Sequence, residues 1–195
     1  MAVPVTLRDG TPALIWPLLP TDARGLQENY ARLSADSRYS RFLTGTPALT
    51  DKLLRVLIDD VDEVDHIARV LMTFPSQGPE QAAGVGRILR YHDSSRTADV
   101  AVTVADRWQG RGVATALLAE LVGQRPDGVD ELLTQVAIDN TASLAMLARL
   151  GAASTSLAGP GVVDVRVPLP PVLSHVGGLG ASSRRLADSL PHGYR

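Results

Sequence analysis

Three behaviours of chain follow one another between Asp99 and Val122. Residues 99–104, D-V-A-V-T-V, form a β-branched run, and residues 105–112, A-D-R-W-Q-G-R-G, a polar turn with two glycines. Residues 113–122 are strong helix formers, with Val113, Ala116, Leu117 and Leu121 at helical spacing. A strand that turns sharply into a helix leaves the first backbone N–H groups of the helix without partners, at the positive end of its dipole. That arrangement suits phosphate. Gly110 and Gly112 fit the tight path and let a ligand approach the backbone closely. Arg107 and Arg111 stand beside the turn, either to support phosphate charge or to face water.

The six residues Gln109-Gly110-Arg111-Gly112-Val113-Ala114 match the pattern Q/R-x-x-G-x-G/A, and here the chain resembles the GNAT superfamily of N-acetyltransferases. The stretch A-D-V-A-V-T-V-A-D-R-W-Q-G-R-G looks like the core of bacterial protein-lysine acetyltransferases of that superfamily. L-R-D-G-T-P-A-L-I-W-P-L-L-P-T-D-A and L-S-A-D-S-R-Y-S-R-F resemble the entry to the same domains, which extends the likeness over residues 5–168. The resemblance implies an α/β GNAT fold: a mixed, mostly antiparallel sheet of about six to seven strands, flanked by helices. It implies acetyl-CoA as cosubstrate, an amine acceptor (protein lysine or a small amine) and no metal. Gln109, Gly110, Arg111, Gly112, Val113 and Ala114 would hold the pyrophosphate. Val102, Thr103 and Val104 would align the pantetheine arm by backbone hydrogen bonds.

Further residues follow from the same likeness. V-A-I-D-N-T-A-S-L-A-M-L-A-R-L-G-A resembles the second GNAT signature, whose Asn contacts the pantetheine arm or adjacent CoA groups; that residue is Asn140, equally placed to cap a helix. Aligned on the loop, Asp99 falls where the lysine-acetylating relatives carry a glutamate general base. A free lysine titrates near about 10.4, so a carboxylate in the cleft has a proton to remove. Asp is one methylene shorter than Glu, which calls for a bridging water. The plain alternative is a strand-start Asp that faces solvent or pairs with an arginine. Leu147 occupies the position where many GNAT enzymes have a Tyr that protonates the departing thiolate, so that acid is missing. Trp108 matches the aromatic before the loop glutamine, packed against the helix or touching ligand.

Positioning these residues requires a particular order of elements. Residues 13–16 read as a strand after the turn Asp9-Gly10-Thr11-Pro12. Thr21-Asp22 offers a cap for a helix to about Leu33, and Ser34 opens a short helix through Phe42. In the family these helices line the acceptor cleft, so Tyr30, Arg38, Tyr39 and Phe42 either shape substrate choice or simply pack. Residues 50–58 read as a helix, followed by the acidic run 59–65, a solvated loop without the Gly and distal Glu of a calcium site. Residues 66–74 and 83–91 read as a hairpin, with Gly84 and Gly86 marking a bulge or a close backbone approach. In the strand from Asp99 to Val104, Asp99, Ala101 and Thr103 share one face and Val100, Val102 and Val104 the other. Residues 131–138 form the next strand, 141–150 a helix stopped by Gly151, and 152–157 with 162–167 a final hairpin. Residues 169–195 are rich in Gly, Ser and Pro and read as a mobile tail.

Composition narrows the function classes. The 195 residues suit one domain, and a net charge of −2 leaves no basic footprint for nucleic acid. No apolar run approaches the roughly 20 residues of a membrane helix, and the N-terminus lacks a signal-peptide core, so a cytoplasmic location is expected. The absence of cysteine excludes disulfides, cysteine-ligated zinc and a cysteine acyl-enzyme. No G-x-S-x-G elbow supplies a serine instead, so a thioester would pass its acyl group directly to the acceptor. The four histidines are scattered, without helical metal-ligand spacing. The expected protein is an acetyl-CoA-dependent N-acetyltransferase, monomer or homodimer. Two alternatives stand beside it. One is a CoA-binding module without turnover; the other is a dinucleotide-binding oxidoreductase, since G-R-G-V-A-T approaches G-x-G-x-x-G but ends in Thr115.

Overall fold

The computed structural model describes residues 1–43 and 48–171. The strands are β1 (Val3–Thr6), β2 (Pro12–Pro17), β3 (His66–Thr73), β4 (Gln81–Arg90), β5 (Thr97–Val104), β6 (Glu131–Ala137), β7 (Ser154–Gly159) and β8 (Val162–Pro168). They form one eight-stranded sheet in the order β1-β2-β3-β4-β5-β6-β8-β7. Every neighbouring pair is antiparallel except β5 and β6. The strand beyond the expected six to seven is β1, where V-P-V-T carries a proline that cannot donate to a ladder. An edge strand tolerates it, and β1 is an edge. Successive antiparallel hairpins on both sides of the loop overturn the oxidoreductase alternative, which needs alternating parallel units.

The helices are α1 (Ala23–Ala31), α2 (Ala35–Phe42), α3 (Asp51–Ile58), α4 (Val113–Gly123) and α5 (Thr141–Leu147). On one face of the sheet α4 and α5 bury Leu118, Leu121 and Leu147 against Ile88, Val100, Val136 and Val165, and Leu117 packs with Leu71 and Ala83. Each such leucine stabilises the fold by roughly 1.5–3 kcal/mol. On the other face α1, α2 and α3 enclose Tyr30, Leu33 and Leu57 over Ala68, Val70 and Val85. The two β4 glycines let α4 lie down on the sheet. A Cβ at Gly84 would stand 2.8 Å from Val113 Cγ1 and 2.9 Å from the Thr103 carbonyl, and one at Gly86 2.8 Å from Leu121 Cδ1. The β3–β4 register also slips between Leu71, which faces Gly84, and Met72, so a bulge adjoins the close approach at Gly84.

Local caps set most helix starts. Ser34 Oγ accepts from Ser37 N (3.2 Å) and Thr50 Oγ1 from Leu53 N (3.2 Å). The first helix differs from expectation. Asp22 turns back to accept from Leu19 N (2.8 Å) around a 3-10 turn, Pro20–Asp22, and α1 stops at Ala31. At its end α5 tightens into turns, with Arg149 N bonded to Met146 O (3.2 Å) and Leu150 N to Leu147 O (3.0 Å), three residues short of the expected limit. Gly151 is there for space, since a Cβ would come 2.4 Å from the Pro168 carbonyl oxygen.

The acidic run is more organised than a solvated loop. Asp62 Oδ1 accepts from the backbone of Val64 (2.9 Å), Asp65 (2.9 Å) and His66 (2.8 Å), which holds its carboxyl below the usual range. Glu63 pairs with Arg69 (2.7 Å) and Asp65 with Arg90 (2.7 Å). Among the described residues no group of acidic or histidine side chains could hold a metal, and no helix is long and apolar enough to cross a membrane. Packing continues past Pro168: Leu169 is buried and its N–H donates to Asp130 O (2.7 Å), while the Arg125 guanidinium donates to the carbonyls of Val122, Val129 and Pro170. The expected tail, from residue 172 on, lies outside the described residues.

Candidate active site

The phosphate-type loop has the expected backbone and a less expected set of side-chain contacts. Gly110 (φ +74°) and Gly112 (φ +93°) both take the left-handed conformation that glycine adopts without strain. Gly112 is the N-cap of α4 and has no side chain to close it, so the first intrahelical bond is Ala116 N to Gly112 O (3.0 Å). The N–H groups of Val113, Ala114 and Thr115 precede that bond at the positive end of the helix. Space in front of Gly110 is open, with nothing within 4 Å of a built Cβ.

The side chains around this loop brace it. Trp108 is buried and donates from Nε1 to Gln81 Oε1 (3.2 Å), so it packs. The Arg111 guanidinium stacks 4.8 Å from the Trp108 ring centre and bonds Asp9 (2.9 Å). Gln109 turns toward α2, its Nε2 bonding Ser37 Oγ (3.0 Å) and Asp106 Oδ1 (3.2 Å). At the loop, Arg8 joins the residues that the motif marks: its N–H donates to Arg111 O (3.0 Å), and its Cγ would lie 3.2 Å from a Cβ on Gly112. Arg8 reaches the loop only through the β1–β2 hairpin, which the sequence reading did not pair. Arg107 is exposed on the turn beside it.

Beside the loop the sheet opens. β5 and β6 pair only at Thr97 with Glu131 and Ala98 with Leu132, and Thr134 Oγ1 then bonds Val100 O (3.0 Å). Beyond this β6 follows β8, while β5 stays on β4 up to Val104 against Gly84. Val102, Thr103 and Val104 are thus paired on one edge and not on the other. The gap is a cleft of about 990 Å³, its open mouth included, between β5, β6, α2 and the start of α5. Asn140 lines it and caps α5, its Oδ1 accepting from Ser143 N (3.0 Å). Leu147 also lines it, buried and unable to donate a proton.

Asp99 lies in this cleft and, among the described residues, has neither a hydrogen bond nor an ion pair. Alternation behaves as expected: Val100 and Val102 pack on the α4 side, while Asp99 lies in the cleft beside α2 and Thr103 in the cavity under α1–α3. Two arginines absent from the sequence reading stand near it. Arg41 lines the cleft from α2, with its guanidinium 4.5 Å over the Phe42 ring. Arg87 comes from β4, opposite Ala101, and is buried. Burial pushes the Arg87 guanidinium down to about 9, helped by the Arg41 charge and opposed by Asp99. Burial likewise lowers Arg41, again opposed by Asp99. Tyr91 lines the cleft and donates to Leu133 O (3.0 Å), its phenol raised by burial first and by Asp99 next. Of the four acceptor-side residues expected, Tyr30 and Phe42 meet edge to face (5.7 Å) on a cavity wall, Arg38 is half-buried, and Tyr39 is exposed.

His66 holds Arg87 in place. Its Nδ1 sits 3.0 Å from Asp60 O and its Nε2 3.3 Å from Arg87 Nη1, which assigns a neutral ring with the proton on Nδ1. Burial and then Arg87 push its pKa below the ordinary 6.5, against the smaller opposing pull of Asp60 and Asp62. A group depressed in the folded state stabilises fully above its unfolded value, and that contribution is lost as pH falls. Melting temperature is therefore expected to fall from pH 7.5 to 5.5 by more in the native chain than in His66→Gln; equal slopes would contradict it.

The family description "Acetyltransferase (GNAT) domain" matches residues 14–153. Acetyltransferase Pat of Mycolicibacterium smegmatis is 34% identical over 171 residues, 87% of this chain, and the chain spans 50% of that relative's length. Acetyltransferase PA5475 of Pseudomonas aeruginosa is 30% identical over 146 residues, 72% of this chain and 73% of its own. Among solved structures, the GNAT domain of S. lividans PAT superposes with a TM-score of 0.73 at 26% identity, covering 86% of this chain and 97% of that one. A mixed sheet that opens beside a glycine-capped helix, and a family match over most of its length, lead to one assignment: the chain belongs to the GNAT acetyltransferase family.

Proposed function

We propose that the protein transfers an acetyl group from acetyl-CoA directly to a primary amine, a protein lysine or a small amine. The observation that carries this reading is a carboxylate without a partner among the described residues, Asp99, in a cleft that joins a free strand edge to a helix start with no side-chain cap. The residues fit the cosubstrate. The α4 N-terminus and the open space before Gly110 receive a pyrophosphate, with Arg8 and Arg107 as nearby cations. Val102, Thr103 and Val104 offer backbone donors and acceptors along the cleft, in the manner of an added strand. Asn140 stands at the far wall. When bound, acetyl-CoA supplies an acyl group already activated as a thioester.

This chain's part is to prepare the acceptor. Asp99, directly or through one water, takes a proton from the entering ammonium; the neutral nitrogen then bonds the acyl carbon, and as the carbon–sulfur bond breaks the nitrogen gives its surplus proton to water. A backbone N–H on the free edge of β5 stabilises charge on the carbonyl oxygen. The sulfur leaves as thiolate, because Leu147 has no proton to give. Release of free CoA thiol on addition of amines tests the reading. Binding of acetyl-CoA with no thiol released by any amine would instead favour the CoA-binding module, the reading that the buried Leu147 supports.

Gly112→Ala tests the loop. The left-handed conformation costs an L-residue about 1–2 kcal/mol, and the new Cβ would press on Arg8. Acetyl-CoA affinity is expected to fall about tenfold, the equivalent of 1.4 kcal/mol. An unchanged dissociation constant by calorimetry would remove the loop from the binding site.

A further inference from the structure

A second cavity adjoins the cleft on the Asp99 side of the sheet. It holds about 550 Å³, its open mouth included, between α1, α2, α3 and strands β4 and β5. Its walls are mostly apolar, with Leu26, Leu33, Leu49, Leu57 and Val85 among them, yet two arginines line it, Arg41 and Arg87. Arg41 also lines the cleft that holds Asp99, so the two spaces meet at this side chain.

The charges do not balance within the protein. Arg87 makes both of its hydrogen bonds with Nη1, to Leu57 O (3.2 Å) and His66 Nε2 (3.3 Å), both neutral acceptors. Its Nε and Nη2 have no partner among the described residues. Arg41 has the Phe42 ring and, among the described residues, no hydrogen bond or ion pair. Asp99 is the carboxylate whose charge acts on both arginines, leaving one positive charge in excess in a largely apolar space. Burial lowers the basicity of both, and for Arg87 the Arg41 charge adds to it. Buried charge is ordinarily paired, and a guanidinium fork suits a carboxylate in particular.

We propose that the acceptor is a small amino-carboxylate with an apolar body, an amino acid of the leucine or phenylalanine kind. Its carboxylate would lie between Arg41 and Arg87, its side chain in the leucine-lined cavity and its amine toward Asp99. This rests on the acetyl-transfer reading and names the substrate class for that same site. Arg41 and Arg87 are then specificity-determining residues, which orient the acceptor without touching the thioester.

The test compares thiol release from acetyl-CoA with leucine and phenylalanine, with isoamylamine and phenethylamine, which lack only the carboxylate, and with a lysine peptide. The amino acids are expected to show kcat/KM at least about tenfold above their decarboxylated partners, the scale of one charge-assisted contact. Arg41→Gln should raise KM for the amino acids far more than for the plain amines, with Arg41→Lys restoring part of the difference. Arg41 lies on an outer helix, so its replacement avoids the folding risk of the buried Arg87. Equal rates with and without the carboxylate, or preference for the lysine peptide, would overturn the substrate class and leave acetyl transfer standing. If no amine releases thiol, acetyl transfer itself fails. Calorimetric binding of N-acetylleucine to the CoA-saturated protein then decides the pocket independently: affinity that Arg41→Gln lowers about tenfold keeps the carboxylate site, and no binding rejects it.

Discussion

Asp99→Asn is expected to lower kcat by about 10²–10⁴-fold, the usual contribution of a general base, with little change in acetyl-CoA affinity. The substitution keeps the size of the side chain and removes its capacity to take a proton. In the native chain the carboxylate has no hydrogen bond or ion pair to lose among the described residues, so no structural partner is left stranded. Arg41 and Arg87 would lose an opposite charge, and a modest fall in melting temperature accompanies that. Single-turnover rates and acetyl-CoA titrations on the same preparation separate the two effects. Undiminished turnover would return Asp99 to the plain role of a strand residue near two arginines, and a bridging water would then have to draw on another base.

Gly84→Ala is expected to damage both the scaffold and the site. The added Cβ meets a backbone oxygen, that of Thr103, at 2.9 Å and Val113 Cγ1 at 2.8 Å, and neither is the end of a flexible chain. Overpacking of this kind costs roughly 1–3 kcal/mol, or several degrees at about 2–4 °C per kcal/mol for a domain of this size. Val113 opens α4, so relief of the clash would lift the helix start away from β5 and disturb the loop that Gly112 ends. Acetyl-CoA binding should therefore weaken together with stability. Gly123→Ala is the internal control. It lies in the last turn of α4 with nothing within 4 Å of a built Cβ, and alanine there should hold or raise the melting temperature. If both variants melt alike, close packing of α4 on β4 is not what the glycine provides.

The parts of the site that were legible in the sequence are those encoded locally. Gly110 and Gly112 announce left-handed backbone, and Ser34, Thr50 and Asn140 announce helix starts, because each acts within a few residues of itself. Alternation placed Asp99 and Thr103 on one face of β5 for the same reason. What the sequence hid depends on contacts across the chain. Pro4 disguised β1, and with it the route by which Arg8 reaches Gly112. Arg87 and Asp99 share a face only through the β4–β5 register, and Arg41 joins them only once α2 is laid over that face. The motif S-R-Y-S-R-F draws attention to Arg38, Tyr39 and Phe42, whereas the charged residue of it that lines the cleft is Arg41. The acidic run misled by composition, since Asp62 satisfies three backbone donors and Glu63 and Asp65 pair with arginines of β3 and β4.

The most direct single measurement is the melting temperature of the chain with acetyl-CoA, with NAD and with neither. A ligand present at about one hundred times its dissociation constant stabilises by roughly 2.7 kcal/mol. At about 2–4 °C per kcal/mol this predicts an upward shift of several degrees with acetyl-CoA and none with NAD. No shift with acetyl-CoA would mean that the glycine-capped helix and the free edge of β5 do not receive the cosubstrate, and would contradict the acetyl-transfer reading at its first step.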